Sequence, residues 1–119
     1  MLVKLPWVFR DDRFKEETAE CAARADIGGI ATWARLLAPL PTSPRLAVST
    51  TVDDVAAHKD IPAIDCGHVF DSVALDDRVK LFRDAIHATP EGYREIARCI
   101  GEALRPTVAG VAQARTPPD

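Results

Sequence analysis

Hydrophobic positions repeat at helical spacing in the last third of the chain, and this pattern predicts the best-defined element of the fold. From Pro90 to Leu104, apolar side chains recur three or four residues apart while charged side chains take the opposite face. Thr89 suits the N-cap because its hydroxyl can accept from a free backbone N–H, and Pro90 suits the first helical position. We therefore expect a carboxyl-terminal helix that starts at Pro90 and ends at Pro106.

Two short apolar runs, residues 2–5 and 61–66, predict buried strands. Helical spacing fills the region between them. The expected helices cover residues 14–25, residues 30–38 and a shorter stretch that Thr50 or Thr51 caps and Lys59 ends. Strands that alternate with helices favour an α/β fold with a parallel sheet, and the ligand site of such a sheet lies beyond the carboxyl ends of its strands.

An acid and a histidine lie on the loop that leads into the terminal helix. Asp84 and His87 are three residues apart, so their side chains can converge. The carboxylate could then hold the imidazole Nδ1–H and leave Nε2 free as a general base. The ordinary alternative is a turn aspartate beside a histidine that is hydrogen-bonded near a helix start.

The residues around this pair resemble the last conserved block of the SGNH, or GDSL-type, hydrolases. The matching run is Phe82-x-Asp84-x-x-His87-x-Thr89-x-x-Gly92-Tyr93-x-x-Ile96-Ala97. The resemblance implies a three-layer, flavodoxin-like α/β domain with a sheet of about five parallel strands and flanking helices. Residues 2–5 would be its fourth strand and residues 61–66 its fifth. The chain would thus be the carboxyl-terminal part of such a domain over residues 1–108, followed by a frayed tail at residues 109–119.

The same resemblance implies a serine ester hydrolase, esterase- or lipase-like, that acts on small acyl or acetyl esters. Asp84 would orient His87, and His87 would act as general base and then as general acid. The family's other blocks are absent: the sequence contains no Gly-Asp-Ser turn and no asparagine for the oxyanion hole. A triad without these groups loses most of its rate, since removing one oxyanion donor costs about 10²–10³.

Three serines are present in the sequence, and none has the family's glycine neighbours. Ser43 lies in a proline-rich loop, and Ser49 precedes the expected short helix. Ser72 follows an aspartate, so it is the candidate nucleophile, but it lies between the last strand and His87, where the family has none. A turn or cap role fits all three. We therefore expect the nucleophile from residues missing here or from another chain.

Composition and cysteine usage indicate the class of protein and its cellular compartment. With 119 residues, 47% hydrophobic residues and a formal net charge of -3, the chain is typical of one soluble domain, and no basic stripe suggests nucleic acid. Three widely spaced cysteines favour reduced thiols over a disulfide framework. No apolar run is long enough for a signal peptide or a membrane span, so we expect a cytoplasmic protein.

Two other chemistries use cysteine. Cys66-x-His68, with Asp65, His58 and His87, offers ligand types for zinc but lacks the paired spacings of zinc sites. Cys66 and His87 could also form a nucleophile pair, although a small buried apolar role fits Cys66 more simply. The sequence predicts neither a metal nor a cofactor.

A function from a different class also stays open: a non-catalytic α/β remnant or interaction module. A sheet of two parallel strands leaves an edge and an apolar face uncovered. The sequence therefore predicts a homodimer or a partner chain that covers this edge.

Overall fold

The computed structural model describes the backbone of residues 1–115 and the side chains of residues 1–105, and within this part the fold is mixed α/β. It contains a two-stranded parallel sheet, five α-helices and two short 3₁₀ turns. In chain order the elements are β1 (Leu2–Lys4), a 3₁₀ turn (Asp11–Arg13), α1 (Phe14–Ala22), α2 (Gly29–Leu37), α3 (Pro44–Lys59), β2 (Ala63–Asp65), α4 (Leu75–Arg78), a second 3₁₀ turn (Val79–Leu81) and α5 (Pro90–Arg115).

The two segments predicted as strands pair in parallel, which confirms the α/β expectation. Val3 lies opposite Ile64. The Leu2 N–H donates to the Pro62 carbonyl at 3.0 Å, and the Cys66 N–H donates to the Lys4 carbonyl at 3.0 Å. Both strands are shorter than predicted. β1 is partly buried and β2 is exposed except at Ile64, because a sheet of two strands leaves each strand with a free edge.

Helix α3 begins at Pro44, six or seven residues before the predicted cap at Thr50 or Thr51, so that prediction is wrong. Ser43 is the N-cap: its hydroxyl accepts from the Arg45 N–H at 3.3 Å. Pro44 occupies the first helical position, where a missing N–H costs nothing. The last proline of the cluster that indicated a loop thus starts a helix, and the two threonine hydroxyls donate to carbonyls one turn back in it.

Helix α5 begins at Pro90 as predicted and continues past Pro106 to Arg115, so the prediction that Pro106 ends it is wrong. A proline inside a helix removes one backbone hydrogen bond, and the helix tolerates that loss here. Residues 109–115 of the segment predicted to fray are helical in backbone, and residues 116–119 lie outside the described residues.

A disulfide joins Cys66, directly after β2, to Cys99 in the third turn of α5, with 6.1 Å between the two Cα atoms. The expectation of three reduced thiols is therefore wrong for this pair, because contacts between distant elements leave no trace in the spacing of the cysteines. Cys21 is a free, buried thiol, and burial raises its pKa to about 11. Disulfides persist in oxidising compartments, so this bond weighs against the predicted cytoplasmic location, which stays a prediction.

A buried ion pair ties together three stretches of the core. The Arg78 guanidinium donates to Glu17 Oε1 at 2.6 Å, to the Val8 carbonyl at 3.1 Å and to the Val73 carbonyl at 2.8 Å. Glu17 also accepts from the Arg10 N–H at 2.7 Å. Both charged side chains are almost fully buried, and their hydrogen bonds compensate for the loss of water.

The apolar core lies between α1, α2 and the loop that precedes α5. Its buried side chains include Phe9, Phe14, Phe70 and Phe82, and the rings of Phe70 and Phe82 meet edge to face at 5.6 Å. The loop before α5, residues 82–88, therefore rests directly on the core. We call it the site loop because it carries Asp84 and His87. No helix among the described residues combines the length and the apolar character that crossing a membrane requires.

Candidate active site

A tight loop carries Asp84 and His87. Phe82 and Ala88 form an antiparallel bridge at its base. Inside this bridge, the Arg83 N–H donates to the His87 carbonyl at 2.7 Å. These contacts close the loop over a few residues, so the position of the acid relative to the histidine is determined locally.

The loop is also anchored to the core beneath it. Ala85 and Ala88 are buried, and the Val8 N–H donates to the Ala85 carbonyl at 2.9 Å. Val8 belongs to the segment that follows β1, so this bond places the loop at the carboxyl end of the strand. Asp84 and His87 lie on the outer side of the same loop, where a ligand can reach them.

Asp84 uses both of its carboxylate oxygens. Oδ1 accepts from the backbone N–H groups of Ile86, at 2.9 Å, and His87, at 2.7 Å. Oδ2 lies 2.8 Å from His87 Nδ1. The pKa of Asp84 lies below its ordinary value: burial alone would raise it, but the hydrogen bonds from Ile86 and His87 outweigh that effect. A carboxylate at this position holds the proton on Nδ1 and leaves Nε2 available.

The start of α5 explains two further residues of the sequence run. Thr89 is the N-cap as predicted: its hydroxyl oxygen accepts from the Gly92 N–H at 3.3 Å and donates to the Leu81 carbonyl at 3.3 Å. A Cβ atom on Gly92 would lie 2.5 Å from the Leu81 carbonyl oxygen and 2.9 Å from the Ala88 Cβ. Glycine is therefore required here, because the helix packs directly against the base of the site loop.

His87 lies between two depressions. The first is a cavity of about 300 Å³, at the lower end of the range for small-molecule sites. Its lining combines apolar side chains with a few polar groups: Val3, Lys4, Leu5, Pro6, Trp7, Arg45, Val48, Ser49, Val52, Ile86, His87 and Tyr93. We call it the His87 cavity. The second depression is more open and is lined by Arg83, Asp84, Ala88, Pro90 and, again, His87 and Tyr93.

The cationic side chains of the His87 cavity are held by ion pairs. Lys4 Nζ lies 2.8 Å from Asp53, and the buried Arg45 guanidinium pairs with Asp11 through Nε at 2.9 Å. Arg45 Nη1 lies directly over Gly67, where a Cβ atom would overlap it. The missing side chain of Gly67 therefore makes room for the guanidinium behind the cavity wall.

The three serines lie at different sites, and one of them borders the His87 cavity. Ser49, which the sequence analysis set aside, is half-buried and lines the same cavity as His87. Ser43 is buried and caps α3, while Ser72 is exposed and lines a depression without His87. The signal for Ser49 was available in the sequence: with Ser43 as the cap, helical spacing places Ser49 on the same face of α3 as Val52.

The cysteine chemistries considered for Cys66 do not fit the structure. Its sulfur is bonded to Cys99, so it is neither a thiolate nucleophile nor a zinc ligand in this state. His68 pairs instead with Asp71, with 2.8 Å between Nδ1 and Oδ2. No group of three or more candidate ligands that could hold a metal ion is found in the described part of the chain.

No protein-family model, curated protein or solved structure matches this chain. The likeness to SGNH hydrolases therefore rests on the run from Phe82 to Ala97. The contact between Asp84 and His87 is a separate observation, made from the geometry.

Proposed function

We propose that this chain carries the acid–base pair of a carboxylic ester hydrolase of the SGNH type. One observation carries the proposal. Asp84 Oδ2 lies 2.8 Å from His87 Nδ1, and no described residue hydrogen-bonds to His87 Nε2, which belongs to a side chain that borders a small-molecule cavity. A carboxylate-oriented imidazole beside a cavity is the arrangement that general base catalysis needs.

The chemistry follows from the free nitrogen. As a hydroxyl oxygen attacks the ester carbonyl, His87 Nε2 takes its proton and Asp84 stabilises the resulting imidazolium. The same proton then goes to the departing alkoxide, which leaves an acyl group on the nucleophile. Water repeats the sequence: it loses a proton to Nε2, attacks the acyl carbon, and the nucleophile recovers its proton from the imidazolium.

The fold supports the wider proposal only in outline. A two-stranded parallel sheet with Asp84 and His87 beyond its carboxyl ends is compatible with the last part of a flavodoxin-like domain, in which residues outside this chain supply the serine, glycine and asparagine groups. Ser49 is the best candidate within the chain because it shares the His87 cavity, and we place it before Ser72.

Hydrolysis of p-nitrophenyl acetate tests the proposal without assuming a nucleophile, because an oriented imidazole beside a cavity that holds the ester can promote cleavage of such an activated ester directly. The chain offers a matched control. His68 forms a 2.8 Å pair with Asp71 and is 59% exposed in its side chain, against 61% for His87, but it does not line the His87 cavity. We expect His87→Ala to lose the rate above background while His68→Ala retains it. Equal rates in the native chain and His87→Ala would remove His87 from the mechanism.

A fluorophosphonate probe then asks whether the nucleophile lies in this chain. Intact mass reports one adduct per active serine, and Ser49→Ala and Ser72→Ala show which residue carries it. We expect any adduct to disappear in Ser49→Ala and in His87→Ala. An adduct that survives both changes would contradict the role given to the His87 cavity.

The alternative of a non-catalytic interaction module is favoured by a different observation, the unpaired outer edge of β1. Complete absence of esterase activity and of probe labelling in a folded sample would support this alternative.

A further inference from the structure

The outer edge of β1 presents unpaired backbone groups. Leu2 and Lys4 direct their hydrogen bonds to β2, as the bonds to Pro62 and from Cys66 show. Backbone groups alternate between the two edges of a strand, so the N–H and C=O of Val3 face away from β2. Among the described residues, neither group has a hydrogen-bond partner. An edge of this kind is a template for another strand.

Apolar side chains surround this edge. Met1 and Leu5 are 56% and 46% exposed, and alternation places them on the same face of the strand as Val3. Val3 and Leu5 also line the His87 cavity, so the cavity adjoins this strand. A strand added here would cover exposed apolar surface and satisfy the two backbone groups together.

We propose that β1 pairs antiparallel with β1 of a second copy of this chain, with Val3 opposite Val3 on a two-fold axis. Opposed residues of such a pair exchange both N–H···O=C bonds, so each Val3 satisfies the other. The result is a continuous sheet of four strands with β1 of each copy at its centre.

The side chains of β1 are complementary to themselves in this register. Met1 of each copy lies opposite Leu5 of the other, so the two exposed apolar side chains cover each other. Lys4 lies opposite Leu2, so no lysine faces a lysine, and Lys4 keeps its ion pair with Asp53. A shift by one residue in either direction would lose the symmetric exchange of bonds at Val3. The second copy is therefore a better occupant than an arbitrary strand.

The dimer does not depend on the catalytic role of His87. It does compete with the flavodoxin-like sheet of the proposed function, in which a third strand from outside this chain would occupy the same edge of β1. It would, however, give the His87 cavity a second chain as one of its walls. Loss of esterase activity in His87→Ala and loss of self-association in the variants below are separate readouts, so either proposal can fail alone.

Sedimentation equilibrium of the full chain, at concentrations from micromolar to hundreds of micromolar, tests the inference. Val3→Pro removes the outward N–H and no bond to β2, and proline is accepted at such a position on an edge strand. We expect it to raise the dissociation constant at least about tenfold, because symmetry removes two main-chain hydrogen bonds at once. Val3→Ala keeps the N–H and should associate almost as the native chain does.

A second pair of variants tests the apolar contact. Leu5→Lys places a cation opposite Met1 twice per dimer and should weaken association about tenfold or more. Leu36→Lys makes the same change at an exposed leucine on α2, away from the edge, and should leave association unchanged. Circular dichroism on each variant shows whether it is folded.

Oxidative crosslinking reports the register itself. The Cα atoms of a hydrogen-bonded antiparallel pair are about 5.5 Å apart, within the range of a disulfide. Val3→Cys should therefore form a covalent dimer on oxidation. Leu5→Cys should not, because the two copies of residue 5 would be about 14 Å apart along the strands. A monomer at every concentration, a dimer unaffected by Val3→Pro, or equal crosslinking of both cysteine variants would overturn the inference.

Discussion

The disulfide between Cys66 and Cys99 gives the most quantitative prediction. Cys99→Ala removes the bond and leaves a small side chain at a half-buried position of α5. The two cysteines are 33 residues apart, and the loop between them contains α4 and the whole site loop. The unfolded chain gains the freedom of that entire loop when the bond is lost.

The size of the effect follows from the entropy of closing a loop of this length. For about 33 residues the chain-entropy relation gives about 3.7 kcal/mol at 25 °C. Domains are commonly stable by only about 5–15 kcal/mol, so the bond would supply a large part of the total. With a urea m-value of about 2 kcal/mol/M, the unfolding midpoint should fall by about 2 M.

Urea unfolding followed by circular dichroism measures this shift. The native chain should give one free thiol when unfolded without reductant, from Cys21, and three after reduction. Reduction should lower the midpoint of the native chain to about that of Cys99→Ala and should leave Cys99→Ala unchanged. The reasoning is refuted if Cys99→Ala unfolds at the same urea concentration as the oxidised native chain, or if reductant shifts both proteins equally.

Three further predictions concern glycine, a buried cation and pH. Gly67→Ala should lower the free energy of unfolding by about 2 kcal/mol, because the added Cβ would overlap the Arg45 guanidinium. Gly101→Ala in α5 meets no atom and should raise it by about 1 kcal/mol. Thermal unfolding measures both changes. Arg78→Met should cost about 3–5 kcal/mol in urea, because it leaves a buried carboxylate unpaired, and an unchanged midpoint would contradict this. The pKa of Asp84 is lowered in the folded protein, so the Asp84 carboxylate stabilises the fold above the ordinary aspartate pKa of about 3.9. This stability is lost as the pH falls through the pKa of Asp84 in the folded protein. The free energy of unfolding of Asp84→Asn should therefore depend less on pH below about pH 4.

Sequence reasoning succeeded where the contacts are local. The cap at Thr89 and the pairing of Asp84 with His87 join residues three positions apart, so spacing and side-chain chemistry were enough to predict them. The parallel pairing of the strands followed from the alternation of strands and helices. These features position the candidate site, so the contact between Asp84 and His87 could be predicted from the sequence alone.

Contacts between distant segments could not be predicted in the same way. The disulfide at Cys66 and the ion pair between Arg78 and Glu17 depend on how helices pack, which residue spacing does not encode. The start of α3 was missed for another reason. A proline cluster is typical of a loop and also of a helix start, and here Ser43 caps the helix that begins at Pro44. That error also concealed Ser49, whose face depends on where the helix begins.

Arg78 couples the opening of three segments of the core, because one side chain binds all of them. One guanidinium donates to acceptors in α1, in the segment after β1 and in the segment before α4, and all three lose a donor if the arginine withdraws. Opening any one stretch breaks a bond to the guanidinium that the other two share, so we expect the core beneath the site loop to open as one cooperative unit. Val8, one of the residues that Arg78 binds, also holds the loop of Asp84 and His87 through Ala85, so we expect the geometry of the pair to persist until this unit opens.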